Sequence, residues 1–186
     1  MRIVGILLAA GAGSRFGGDK LLARLADGSG IGHRSASNLI AVLPEVIAVV
    51  RPGDDALAAQ IATTGARVTI CADAHTGMGA SLAHGVHEAG AADAFVVALA
   101  DMPWISDATM REVVVRLGRG DPLVVPQFRG QRGHPVGFGV IHRAALMTHT
   151  GDTGAKAIVA AAPAGSILEV GDPGVVRDVD VRADID

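Results

Sequence analysis

Short apolar runs alternate with longer amphipathic stretches through the first two thirds of the chain. The runs at residues 3–8 (IVGILL), 46–50 (VIAVV), 67–71 (RVTIC), 94–100 (AFVVALA) and 122–126 (PLVVP) read as strands. They are near-continuous rather than alternating, the pattern of strands covered on both faces and hence of a parallel sheet. Between them lie four helical stretches. Ser35 to Leu43 ends before Pro44, and Asp54 to Ala62 places Ala56, Leu57 and Ile61 on related faces. Met78 to Ala89 follows, and Ser106 to Leu117 has Ser106 as N-cap and Gly118 at its exit. The order βαβαβαβ predicts an α/β, Rossmann-like, doubly wound, mostly parallel sheet. Such sheets bind ligands at the carboxyl ends of their strands.

The texture changes after Pro126. Residues 127–135 form a polar, glycine-containing turn into the apolar stretch 136–141, a hairpin-like or crossover excursion rather than another βα unit. An Ala-rich helix to Ala162, a strand around Ile167 to Val170 and an acidic terminal segment complete the chain, with no repeat or linker, so residues 1–186 are expected to form a single domain. Hydrophobic residues make up 49% of the 186, enough for a buried core and too many for disorder. A net charge of −3 and 3% aromatics give no basic footprint or stacking platform, which argues against nucleic acid and against an anionic membrane surface. The lone Cys71 precludes an internal disulfide and suits a reducing compartment. Residues 3–10 followed by Ala10-Gly11-Ala12 imitate a short signal peptide, but with one preceding positive charge the imitation is thin, and a soluble, cytoplasmic protein is expected.

The stretch LAAGAGSRFGGDK at residues 8–20 carries the most chemistry. Glycine-rich loops after a first strand cradle phosphate, because backbone N–H groups can approach its oxygens. The dinucleotide fingerprint begins correctly at Gly11 and Gly13 but meets Phe16 at its third glycine, and the acidic residue about 20 positions on is missing. The Walker pattern fails too, since Asp19 intrudes before Lys20 and Leu21 replaces the hydroxyl residue. What remains is a loop with two cations, Arg15 and Lys20, placed to hold a polyphosphate. Asp101, at the end of the fourth predicted strand, suits Mg²⁺, which binds through one or two carboxylates plus substrate phosphates.

The string LAAGxGxRFGxxK at residues 8–20 resembles the signature of nucleotidyltransferases in the molybdenum-cofactor transferase-like superfamily. Those enzymes include cytidylyl- and guanylyltransferases acting on molybdopterin, sugar phosphates and isoprenoid precursors. GMGASL at 77–82, DMP at 101–103, GHPVGF at 133–138 and GDTGA at 151–155 are similar to the molybdenum cofactor cytidylyltransferase branch. The resemblance implies a nucleotide site at Leu8, Ala9, Ala10, Gly11, Gly13 and Ser14, with Gly79 and Ser81 against the base. It implies Arg15, Lys20 and Asp101 as catalytic, and an acceptor site at His134, Asp152 and Lys156. It implies a second metal carboxylate at Asp180, where DVDVRADI (178–185) matches the acids of the family pattern Asp-x-Asp-Thr-Pro-x-Asp-Leu but lacks its Thr-Pro. Ala10 matches the cytidylyl-type loop rather than the guanylyl-type.

The implied reaction is Mg²⁺-dependent transfer of CMP from CTP to the phosphate of molybdopterin, with release of pyrophosphate and delivery to a molybdenum hydroxylase apoenzyme. A phosphate monoester is already largely dianionic at neutral pH, since its second pKa is about 6. The step therefore calls for positioning and charge neutralisation more than for acid–base groups. Guanylyl transfer to molybdopterin, cytidylyl transfer to a sugar or methylerythritol phosphate, and a non-catalytic cofactor-binding chaperone are the alternatives, with an NAD-binding domain weaker still. His84 and His87, three apart with His75 nearby, read as surface rather than as a zinc site, and Cys71 and Trp104 read as packing.

Overall fold

The computed structural model describes residues 1–11, 16–148 and 155–185. Among these, β1 (Ile3–Leu8), β2 (Val46–Val50), β3 (Arg67–Ile70) and β4 (Ala94–Leu99) form a parallel sheet in the order β3-β2-β1-β4. The apolar stretch after the polar turn becomes β7 (Val136–Gly139), which inserts between β4 and β5 (Leu123–Phe128) and runs antiparallel to both. The short β6 (Gln131–Arg132) closes a hairpin with β5, and β8 (Ile167–Glu169) pairs parallel with it. The expected mostly parallel sheet with a C-terminal excursion is what the chain forms.

Helices cover both faces. The alternation of side chains along β1 sends Leu7 into one apolar cluster and Val4, Ile6 and Leu8 into the other. The first cluster is closed by α1 (Ile31–Ile40), α2 (Asp55–Ala62) and α4 (Asp107–Gly118), through Ile31, Leu39, Leu57, Ile61, Met110, Val113 and Leu117. The second is closed by α3 (Met78–Glu88) and α5 (Arg143–Met147), through Leu82, Val86 and Leu146, with α6 (Lys156–Ala160) packing at its margin through Ile158 and Val159. No helix among the described residues is long and apolar enough to cross a membrane.

Four expectations need correction. Strand β3 is not covered on both faces: it is the sheet edge, pairs with β2 alone, and leaves Arg67 and Ile70 exposed. Helix α1 starts four residues before Ser35, because its N-cap is Gly30, which has no capping side chain to announce it. Strand β5 runs on through Gln127 and Phe128, and the reversal is confined to Arg129 and Gly130, both at positive φ (49° and 82°), as a two-residue hairpin turn demands. The Ala-rich helix is shorter than expected, ending at Ala160. Helix α4 begins as expected, with the Ser106 hydroxyl accepting from the Thr109 N–H at 3.3 Å.

Candidate active site

A cleft of about 630 Å³ opens at the carboxyl ends of the four parallel strands. Leu8, Ala10 and Gly11 line it after β1, Arg51 and Pro52 after β2, Ala72 and His75 after β3, and Leu99 and Asp101 at the end of β4. Gly77 precedes α3 at φ +131°, a conformation that glycine adopts without strain, and the turn brings Met78 and Ser81 onto the wall. Ala9 and Gly79 are buried and lie off this wall, the Ala9 side chain in the core beneath it. Gly13, Ser14, Arg15 and Asp152 lie outside the described residues.

Lys20, Asp101 and Asp180 come from three distant parts of the chain and meet beside this cleft. Lys20 opens a short 3-10 turn, Lys20–Leu22, and its Nζ lies 2.8 Å from Asp101 Oδ2 and 3.9 Å from Asp180 Oδ1. The terminal segment is tied in place by its own backbone, with the Val179 N–H donating to the Asp101 carbonyl at 2.9 Å. The Asp184 carboxylate accepts from the N–H groups of both Asp180 and Val181, each at 2.8 Å, and these donors hold its pKa below the ordinary value. The third acid of the family pattern thus shapes the turn that presents Asp180, in a sequence without Thr-Pro. Arg177 adds an anchor by stacking on Trp104, its guanidinium carbon 3.7 Å from the ring centre.

A second cavity, of about 350 Å³, shares Leu8, Met78 and Leu99 with the first. Its walls are mostly apolar, from Leu82, Val97, Val136 and Phe138, with Arg132, His134 and Lys156 as the ionisable lining. Burial pushes the His134 imidazole down from its ordinary pKa, outweighing a hydrogen bond to the Val97 backbone and the charge of Asp101, so the ring is neutral at pH 7. Its Nδ1 is buried without a protein partner. Arg132 donates to the carbonyls of Val159 and Ala160 and closes the end of α6. His134 itself is fixed through its backbone N–H, which donates to the Val175 carbonyl at 2.8 Å.

The structure therefore brings Leu8, Ala10, Gly11, Lys20, Ser81 and Asp101 to one cleft, with Asp180 beside Lys20, and His134 and Lys156 to the adjoining cavity. Sequence reasoning missed Arg51. It follows the last residue of β2, where the strand-end rule points, and its guanidinium is steadied by Asp54 at 2.9 Å. The histidines set aside earlier have separate environments: His84 Nε2 lies 2.8 Å from Thr69 Oγ1, and His75 is on the cleft wall. Among the described residues no three acidic, His or Cys side chains converge as a metal-holding group. Two carboxylates are enough for a divalent ion that takes its remaining ligands from phosphate and water.

Two curated relatives span nearly the whole chain. One is the nicotine blue oxidoreductase of Paenarthrobacter nicotinovorans, 28% identical over 96% of this chain and 92% of its own. The other is the purine catabolism protein PucB of Bacillus subtilis (strain 168), 28% identical over 99% of this chain and 94% of its own. Among solved structures, Rv0371c of Mycobacterium tuberculosis H37Rv superposes with a TM-score of 0.86 at 26% identity, covering 99% of this chain and 95% of that one. A manganese complex of Rv0371c matches with a TM-score of 0.79 at 22% identity, over 99% and 96% of the two chains. The sequence profile of the MobA-like NTP transferase domain matches residues 5–166, and the chain is a nucleotidyltransferase belonging to that family.

Proposed function

We propose that the protein joins the CMP moiety of CTP to the phosphate of molybdopterin in a Mg²⁺-dependent reaction that releases pyrophosphate. The observation that carries this reading is the pair of adjoining cavities with the Lys20–Asp101–Asp180 cluster beside them. One cavity has the position and volume for a nucleoside triphosphate, and the other can bring an acceptor phosphate to its α-phosphorus. A divalent ion held by Asp101 and Asp180 would neutralise phosphate charge when bound. Lys20 and Arg51 are the described cations of the nucleotide cleft, and both can bind phosphate oxygens. His134, kept uncharged by burial, positions the acceptor.

The base preference follows from hydrogen-bond chemistry. Guanine offers N–H donors on its pairing edge and is best matched by a carboxylate, although backbone carbonyls also accept them. Cytosine offers two acceptors there and suits backbone N–H groups and a hydroxyl. Among the described residues the cleft wall carries one carboxylate, Asp101, which Lys20 already engages, while Ala10, Gly11 and Ser81 supply amides and a hydroxyl. The apolar acceptor cavity likewise suits a heteroaromatic ring better than a sugar or methylerythritol phosphate, whose hydroxyls would lie unpaired against Leu82, Val97 and Phe138. A molybdenum hydroxylase apoenzyme is the expected recipient of the product.

The test is pyrophosphate release from CTP and Mg²⁺ with added molybdopterin. Release with CTP, at least about tenfold faster than with GTP, is expected. A response to GTP alone would overturn the base assignment, and acceptor binding without any release would make the protein a chaperone. A second reading is favoured by the relative named as an oxidoreductase: the nucleotide cleft would then take a reduced nicotinamide dinucleotide. Saturable quenching of this protein by NADH or NADPH, with no response to CTP, would establish it in place of the first.

A further inference from the structure

We propose that Lys20 is a built-in counter-ion that closes the Asp101–Asp180 pair against divalent metal until a nucleoside triphosphate draws it away, so that metal and nucleotide bind cooperatively. The proposal rests on the metal site of the reading above, and it concerns what this chain's own lysine does there.

A backbone hydrogen bond brings the two aspartates to one place. Asp101 lies in the turn just after β4, and the Val179 N–H to Asp101 carbonyl bond fixes the backbone next to Asp180. The Lys20 ammonium lies 2.8 Å from Asp101 Oδ2 and 3.9 Å from Asp180 Oδ1, a positive charge set between two negative ones. Its side chain is 11% exposed, against 24% for Asp101 and 41% for Asp180, so it is the most enclosed member of the cluster. A divalent ion held by Asp101 and Asp180 would have to share with the ammonium the carboxylates it already engages. Ammonium and metal would therefore compete for this pair.

Two features make the competition resolvable by substrate. Lys20 also lines a small cavity of about 90 Å³ with Gly11, Gly18 and Arg51, so its flexible four-carbon stem borders two spaces. A triphosphate in the cleft offers the ammonium a new anionic partner and offers the metal the oxygen ligands that two carboxylates do not complete. Each ligand then removes an obstacle to the other, and the coupling is reciprocal by linkage.

The experiment is direct Mn²⁺ binding to the full chain without nucleotide, read by electron paramagnetic resonance of the free ion, in wild type, Lys20→Met, Lys20→Gln and Lys20→Arg. Lys20→Met and Lys20→Gln should each bind Mn²⁺ at least about tenfold more tightly than wild type, since removing the competing charge removes its exclusion. Lys20→Arg should remain as weak as wild type, and adding Asp180→Asn to Lys20→Met should abolish the gain. Circular dichroism establishes that each protein is folded. If a folded Lys20→Met or Lys20→Gln binds Mn²⁺ no more tightly than wild type, the counter-ion role is refuted, even where CTP turnover proceeds. If the gain is present but the wild-type protein neither binds CTP nor turns it over, the counter-ion role stands and the cytidylyltransferase reading falls.

Discussion

Replacing Gly133 by alanine tests whether the loop before β7 and the terminal segment that carries Asp180 are one mechanical unit. A Cβ at Gly133 would stand 2.0 Å from the carbonyl oxygen of Val175 and 2.6 Å from its carbon, both backbone atoms. Relieving that overlap requires the two segments to part by about 1 Å, because neither atom belongs to a flexible side chain. The separation breaks or stretches the 2.8 Å bond from the His134 N–H to the same Val175 oxygen. Overpacking of this kind costs about 1–3 kcal/mol and the lost bond about 0.5–1.5 kcal/mol, so a loss of roughly 2–4 kcal/mol is expected. For a chain of this length each kcal/mol lowers Tm by about 2–4 °C, which predicts a fall of roughly 4–16 °C by differential scanning calorimetry. Because Val175 leads along the chain to Asp180, turnover should fall as well, while CTP binding in the cleft persists. A Gly133→Ala protein melting within about 1 °C of wild type would show that the clamp does not exist.

Asp172 supports α4 from outside, accepting from the Ser106 N–H, the Thr109 hydroxyl and the Gly174 N–H, each at 2.9 Å. Burial alone would raise its pKa, but these donors together hold it below the ordinary value of 3.8. Its contribution to stability is thus present above the unfolded pKa and lost as pH falls through the folded one; Asp172→Asn should be less stable at pH 7 by about 1–2 kcal/mol, and the gap should close in urea titrations taken below about pH 4. Arg51→Ala should raise KM for CTP by roughly tenfold with little change in Tm, the scale of one charge-assisted contact, and an unchanged KM would remove Arg51 from the site. Asp180→Asn should lower turnover at saturating CTP by at least about tenfold and raise the metal concentration needed for half-maximal rate, and normal kinetics would exclude it as a ligand.

The parallel half of the sheet was legible because its strands are short, continuous apolar runs with amphipathic stretches between them. Lys20 and Asp101 were legible for a related reason, since each follows a strand where such folds bind ligands. Asp180 was reached through resemblance alone, for an acid near the end of a chain is ordinarily solvated charge. What brings it in is a backbone bond from Val179 to Asp101, a contact across most of the sequence. The insertion of β7 between β4 and β5 was hidden because an antiparallel strand among parallel ones keeps the same apolar texture. Gly133 and Arg51 share one obscurity: nothing near either residue shows that Val175 crowds the first, or that the second shares a cleft with residues from β1, β3 and β4.

The place of β7 also governs the order in which the sheet can assemble. Strands β1 to β4 lie in the first 99 residues and find their parallel partners within that length. Strand β5 cannot join them directly, because its sheet partners β6, β7 and β8 all follow it in the chain. A growing chain that has passed Phe128 but not reached Val136 therefore holds a nearly complete nucleotide half and an open β4 edge, with Phe95 and Val97 still unpaired on that side. Such an edge is a template for association with other chains. Truncation between these two points should yield a protein that pairs with itself, and translation through residue 139 is what seals the edge and begins the cavity lined by Val136 and Phe138.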